Sequence, residues 1–162
     1  MSSLAYVITS CSTNALNDTE VLFNDENTLQ RNIIYNYTQT ELETLNVINE
    51  YRKSLGLTTL QKINYISTKS AEHDDYMISM NVVSHDNFIV RSEDIKNVLG
   101  AETVAENIAW NFNSAESVVA AWLKSESHKK KIMGNFTHFG IAIKADPTTG
   151  KNYITNIFAK IN

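Results

Sequence analysis

The sequence predicts an α+β domain, on three observations. Between Thr38 and Gly134, apolar residues recur three and four positions apart, the period of an amphipathic helix, in runs closed by Gly56, Gly100 and Gly134. After Gly134 the period changes. Residues 139–145 and 153–159 have strand character and are separated by the turn-rich run Asp146-Pro147-Thr148-Thr149-Gly150-Lys151. Helices first and a terminal hairpin last give α+β rather than an alternating βαβ order. Length agrees: 162 residues with 43% apolar content suit one domain with its own core.

The first helix opens at Thr38-Gln39-Thr40-Glu41, where a threonine and a glutamate three residues later form a capping box. Leu42, Leu45, Ile48, Tyr51 and Leu55 follow at helical spacing, and Gly56 ends the run. A second helix carries Ile63, Ile66, Ser70, His73, Met77 and Met80 on one face. Ser92 is the expected cap of a short third helix ending near Gly100. A fourth runs from Ser114 as N-cap to about Ser125 and turns Ala115, Val118, Val119 and Trp122 inward. A last helical turn spans residues 127–133. Ahead of these, residues 12–37 are rich in Asn, Asp and Thr without a period. They are expected to form a flexible tether, with a root-mean-square span of roughly 25–30 Å. The domain proper is then residues 38–162.

The net charge is −4 and the pI about 5.5. The only basic block, Lys129-Lys130-Lys131, falls at a helix end where cations complement the dipole. This balance excludes a nucleic-acid surface. No apolar run approaches the roughly 18 residues of a membrane-spanning helix. Cysteine occurs once, at Cys11, so an intrachain disulfide is excluded. Residues 4–10 are apolar or small, and Ile8-Thr9-Ser10-Cys11 resembles a bacterial lipobox. On that pattern residues 1–11 are a signal segment, Cys11 is lipidated, and the protein meets the membrane through that lipid. Met1-Ser2-Ser3 lacks a basic residue and the apolar run is short for a signal peptide.

The chemistry-bearing residues come in a distinctive order: Ser84-His85, then Ala105-Glu106-Asn107-Ile108-Ala109, then Trp122, then Ser125-Glu126-Ser127-His128, then Asn135-Phe136-Thr137-His138-Phe139-Gly140. His85 and His128 sit where a side chain can reach a cleft. Two imidazoles and a carboxylate suit Zn²⁺ or a similar divalent ion. They equally suit a base holding a water, or a buried polar network in which Glu106 accepts from both rings. His73, on an apolar helix face, is expected in the core. His138, just before a strand, is expected to be structural or exposed. Asn107, Trp110 and Trp122 are expected to be structural, Trp122 as a core anchor. No serine has a nucleophile-elbow setting and Cys11 lies outside the domain, which removes the usual nucleophiles.

This series of motifs resembles the CAP superfamily, or SCP domain: cysteine-rich secretory proteins, antigen 5 and plant pathogenesis-related proteins. It is most similar to the cysteine-poor bacterial branch, from about Glu41 to Ile161. The resemblance implies a three-layer α-β-α sandwich and a central cavity shared by His85, Glu106 and His128, with the two histidines as metal ligands. It also implies a departure. Members with the full tetrad carry a second glutamate three residues after the tryptophan, where this chain has Ser125, with Glu126 one place later. These two residues are taken as further members of the cavity wall. The expected function is that of a cell-envelope or secreted binding module for a lipid, an envelope polymer or a partner protein. The alternative is a metal-dependent peptidase or esterase with Glu106 as general base. Catalytic zinc normally has three protein ligands. Two clear ones predict weak, exchangeable metal binding.

Overall fold

The structure, a computed structural model, describes residue 30 and residues 32–162. The lipobox at Cys11 and most of the expected tether lie outside the described residues. The elements are α1 (Gln39–Ser54), β1 (Gln61–Lys62), α2 (Asn64–Met80), α3 (Phe88–Leu99), β2 (Thr103–Trp110), α4 (Ala115–Lys124), α5 (Glu126–Ile132), β3 (His138–Ala145) and β4 (Asn152–Lys160). The strands form one sheet in the order β1-β3-β4-β2. The β3–β4 hairpin is antiparallel, β2 runs antiparallel to β4, and β1 is a two-residue parallel pairing with β3.

Helices cover both faces of the sheet. On one side Ile48, Val118, Val119, Trp122 and Ile132 of α1, α4 and α5 pack on Phe139, Ile141, Ile154 and Phe158. On the other, Tyr65, Ile66, Ile95 and Val98 of α2 and α3 pack on Ile157 and Ala159. This is the three-layer α-β-α sandwich. β4 is its central strand and is buried along both faces from Tyr153 to Ala159. Buried strands read as continuous apolar runs rather than alternating ones. Gly140 brings α2 directly onto β3: a Cβ there would collide with the Ser67 nitrogen and lie 2.5 Å from the Ile66 carbonyl carbon.

Three expectations need correction. The third helix begins at Phe88, not after Ser92, which is a buried interior residue. Its N-cap is Asn87 at φ 59°, a left-handed residue that asparagine tolerates. The tether ends earlier than Tyr37. Ile33 packs against the second core, Tyr35 donates to Glu41 Oε1 at 2.8 Å, and Tyr37 shares a 2.8 Å hydrogen bond with Ser67. The inward face of α1 is mixed: Ile48 is buried with Leu45 and Tyr51 packed on the core as expected, but Glu41, Thr44 and Arg52 are buried too, whereas Leu42 and Leu55 are exposed.

The two buried charges of α1 serve the backbone. Glu41 closes the capping box with Thr38 and also accepts from the Ile143 N–H at 2.9 Å. Arg52, 2% exposed, donates to the carbonyls of Thr58, Ile132, Gly134 and Phe136. It thereby ties the end of α1 to the end of α5. Burial lowers its pKa.

Candidate functional site

The site is centred on β2, an edge strand that the sequence did not announce. Its middle residues, Glu106 and Asn107, are both buried, so no polar–apolar alternation is visible. Glu106 pairs in register with Ile157 of β4 and is 2% exposed. Its carboxylate meets residues from α2, from the α2–α3 loop and from α3. Arg91 grips it as a fork: Nε to Oε2 at 3.0 Å, Nη2 to Oε2 at 2.8 Å and to Oε1 at 2.9 Å. His85 Nδ1 lies 2.8 Å from Oε1. A carboxylate oxygen accepts, so Nδ1 is the donor and the neutral ring keeps its lone pair on Nε2. A carboxylate offers about four acceptor directions. Here all four are used.

The loop that carries His85 is held from below. A carbonyl only accepts, so His73 Nε2 donates to the Ser84 carbonyl at 2.8 Å. Tyr76 donates to Asp86 at 3.0 Å, and Arg91 Nη1 donates to the Asp86 carbonyl at 2.8 Å. His73 is buried, as expected of a core residue, but it also stands 3.9 Å from Glu106 Oε1. Burial lowers its pKa and Glu106 opposes that effect. Its Nδ1 is buried with no hydrogen-bond partner among the described residues.

His128 lies on α5, half-buried, and its carbonyl accepts from Asn107 Nδ2 at 3.2 Å. Burial lowers its pKa, and Lys131 and His85 add to that; His128 is not among the residues that line the cleft beside His85. The cleft beside His85, about 190 Å³, is lined by Phe88, Val104, Ala105, Glu106 and Lys131. Its wall on the α5 side is Lys131, whose Nζ donates to the Glu106 carbonyl at 2.7 Å. Burial lowers the Lys131 pKa, with Glu106 opposing.

Ser125 and Glu126 do not join this cleft. α4 ends at Lys124, Ser125 is extended, and α5 starts afresh at Glu126. The Ser125 hydroxyl contacts Ser127 at 3.2 Å. The Glu126 side chain is 78% exposed, 3.7 Å from Lys130. The remaining residues are structural: Trp122 is buried and donates to the Ile108 carbonyl at 2.9 Å, and His138 contacts Thr137 at 2.8 Å. Trp110 is partly exposed beneath Lys151, 4.4 Å from its ring centre.

Sequence reasoning missed Arg91, Lys131 and the role of His73. One signal for Arg91 existed. A carboxylate enclosed in a core needs a cation, and Arg91 is the only lysine or arginine between His85 and Asp94. Among the described residues, no group of three or more His, Cys, Asp or Glu side chains is arranged to hold a metal ion.

Residues 45–158 match the family model described as CAP, cysteine-rich secretory protein family. The uncharacterized protein YkwD of Bacillus subtilis (strain 168) is 32% identical over 105 residues, which is 62% of this chain and 41% of YkwD. The chain thus spans about two fifths of that relative's length. Among solved structures, an outer surface protein from Borrelia burgdorferi superposes with a TM-score of 0.64 at 18% identity, covering 80% of this chain and 100% of that one. An extracellular protein containing an SCP domain from Bacillus anthracis str. Ames gives 0.65 at 20% identity, covering 78% and 45%. Both likenesses concern the fold.

Proposed function

We propose that this chain, which belongs to the cysteine-rich secretory protein (CAP) family, is a non-enzymatic binding module displayed at the cell envelope or secreted. One observation carries the proposal: the buried carboxylate at the centre of the site is saturated. Glu106 accepts three hydrogen bonds from Arg91 and one from His85. A general base needs a free lone pair within about 3 Å of the water it deprotonates. A metal ligand needs the same lone pair. Glu106 has neither to give, and Glu126, the other acid in the motif, faces solvent. What remains open to a ligand is the cleft itself, with an imidazole, an ammonium and apolar walls.

A divalent cation fits this site only in part. His85 Nε2 and His128 would hold it, with Glu106 orienting the His85 ring from behind, the usual arrangement around a metal-bound histidine. Two ligands bind weakly and exchangeably. When bound, the ion would supply a Lewis-acidic centre. The envelope location draws on the outer-surface and extracellular relatives and on the lipobox at Cys11, where Cys11→Ser should release the protein from the membrane fraction.

The test uses the purified full chain. Peptidase and ester substrates, with and without Zn²⁺, should give no turnover. Co-sedimentation with purified cell-wall polymer or with phospholipid vesicles should be saturable for at least one of the two. Metal-dependent hydrolysis abolished by Glu106→Gln in a folded protein would overturn the proposal in favour of a hydrolase.

A further inference from the structure

The chain has a net charge of −4, yet one hollow on it gathers cations. Lys130 and Lys131 of α5 and Lys160 at the end of β4 line it together with one acid, Glu102, in a space of about 490 Å³. Little of that positive charge is neutralised. Glu102 serves Lys160 at 3.2 Å. Lys130 stands 3.7 Å from Glu126, with side chains 75% and 78% exposed, and such solvated pairs are worth little. Lys131 is paired with no acid among the described residues: its Nζ donates to the neutral Glu106 carbonyl at 2.7 Å and keeps two donors. A second observation concerns the loop after α5. The last carbonyls of a helix carry negative partial charge, and these would repel an anion. Here the carbonyls of Ile132, Gly134 and Phe136 are taken by Arg52, and Gly134 and Phe136 are themselves part of the hollow's lining. Arg52 is buried and its partners are all neutral carbonyls, so a fourth cation backs the same loop.

We propose that this hollow binds a phosphodiester unit of an anionic envelope polymer, held by Lys130, Lys131 and Lys160. The proposal rests on the binding-module reading and names its ligand class. It places that ligand beside the cleft at His85, with which the hollow shares Lys131. The residue type indicates phosphate. A lysine ammonium is a compact point charge that suits a phosphate oxygen, whereas a planar carboxylate is matched by an arginine fork, and the one arginine behind this loop is occupied. A lipid headgroup carries the same phosphodiester, but attachment to a bilayer surface also uses apolar side chains. No exposed large apolar side chain lines the hollow. Three lysines are also too few for a nucleic-acid duplex, where about six to ten phosphates are contacted.

The experiment is a titration of the purified full chain with short poly(glycerol phosphate), followed by amide NMR, which also reports folding of every variant. Shifts should centre on residues 130–136 and Lys160. Affinity should fall about tenfold between about 50 and 200 mM salt, as counterion release from two or three phosphates requires. Lys131→Gln, and the surface double variant Lys130→Gln with Lys160→Gln, should each weaken binding at least about fivefold. Lys96→Gln, which removes a charge from α3 instead, should leave it unchanged. Shifts located elsewhere, an equal loss on Lys96→Gln, equally tight binding of poly-glutamate, or no binding at millimolar phosphate would each overturn the proposal. Binding to phosphatidylglycerol vesicles without binding to the free polymer would overturn it too, by moving the ligand to a lipid headgroup. Polymer binding that survives both lysine variants would remove only this hollow and leave the binding-module reading intact, whereas failure of polymer and vesicles alike would remove both.

Discussion

Replacing Arg91 by methionine leaves Glu106 enclosed without its cation. The side chain of Glu106 is 1% exposed and Arg91 supplies three of its four hydrogen bonds. Breaking a buried pair from one side costs about 3–5 kcal/mol, because the remaining charge has neither water nor a partner. For a chain of this size, about 2–4 °C of melting temperature is lost per kcal/mol. The expected drop is therefore about 6–20 °C. Glu106→Leu strands Arg91 in the same way and should cost a similar amount. The double variant Arg91→Met with Glu106→Leu removes both charges and fills the space with apolar atoms. Such exchanges are often neutral or stabilising. Urea unfolding of all four proteins at pH 7 closes the cycle. The double variant should be more stable than either single one, with a coupling of about 3 kcal/mol or more. Additivity within about 0.5 kcal/mol, the behaviour of independent sites, would refute the claim that the fork is what permits a buried carboxylate here.

Four further outcomes are expected. Trp122→Ala should cost about 3–5 kcal/mol in urea melts by emptying a core volume and orphaning the Ile108 carbonyl, whereas His85→Ala, at a side chain 46% exposed, should cost far less. Gly140→Ala should destabilise by at least about 2 kcal/mol, because the clash is with α2 backbone rather than a flexible side chain, and calorimetry will measure it. Asp74 is buried with Oδ2 unpartnered among the described residues and its pKa pushed well above 3.8 by burial, against the Thr155 hydrogen bond. A raised folded-state value means that its contribution is full below 3.8 and is lost as pH rises through the folded value; Asp74→Asn should therefore gain on the native protein as pH rises from about 4 to 7, measured as the difference in urea midpoints. His85→Ala should also abolish whatever Zn²⁺ binding calorimetry detects in the native chain.

Local signals made α1, α4 and the hairpin legible. The capping box at Thr38, the Ser114 cap and the Asp146–Lys151 turn each act within a few residues, and the structure keeps all three. β2 was hidden because it is buried at its centre with a glutamate and an asparagine side by side. Their partners, Arg91, Lys131 and the His128 carbonyl, lie 15 to 25 positions away, and the Asn107 Oδ1 is buried without a partner among the described residues. The apolar spacing on α1 found Leu45, Ile48 and Tyr51 but not the buried Glu41 and Arg52, whose partners lie as far off as Ile143 and Phe136. The His85–Glu106 contact was legible through the family resemblance. Arg91 was legible only to a reading that already enclosed Glu106, because a lone arginine in a helix looks identical whether it faces solvent or a carboxylate. The α4–α5 break explains Ser125 and Glu126, since spacing alone does not say where one helix stops and the next begins.

The stitch made by Arg52 has a consequence for how this domain is produced. It joins residues up to 84 positions apart, and Glu41 reaches 102 positions to Ile143. Ties over such distances are made covalently in disulfide-stapled domains, but residues 12–162 contain no cysteine. Hydrogen-bonded ties need no oxidant, cannot be mispaired by thiol exchange, and re-form each time the chain returns to native conditions. The domain should therefore fold equally well in reducing and oxidising surroundings, and survive repeated cycles of unfolding without an isomerase. Its weak point is competition for carbonyl oxygens. At matched denaturing strength, guanidinium, which carries the same donor fork as Arg52, should loosen the α1–α5 junction ahead of the rest, and urea should not.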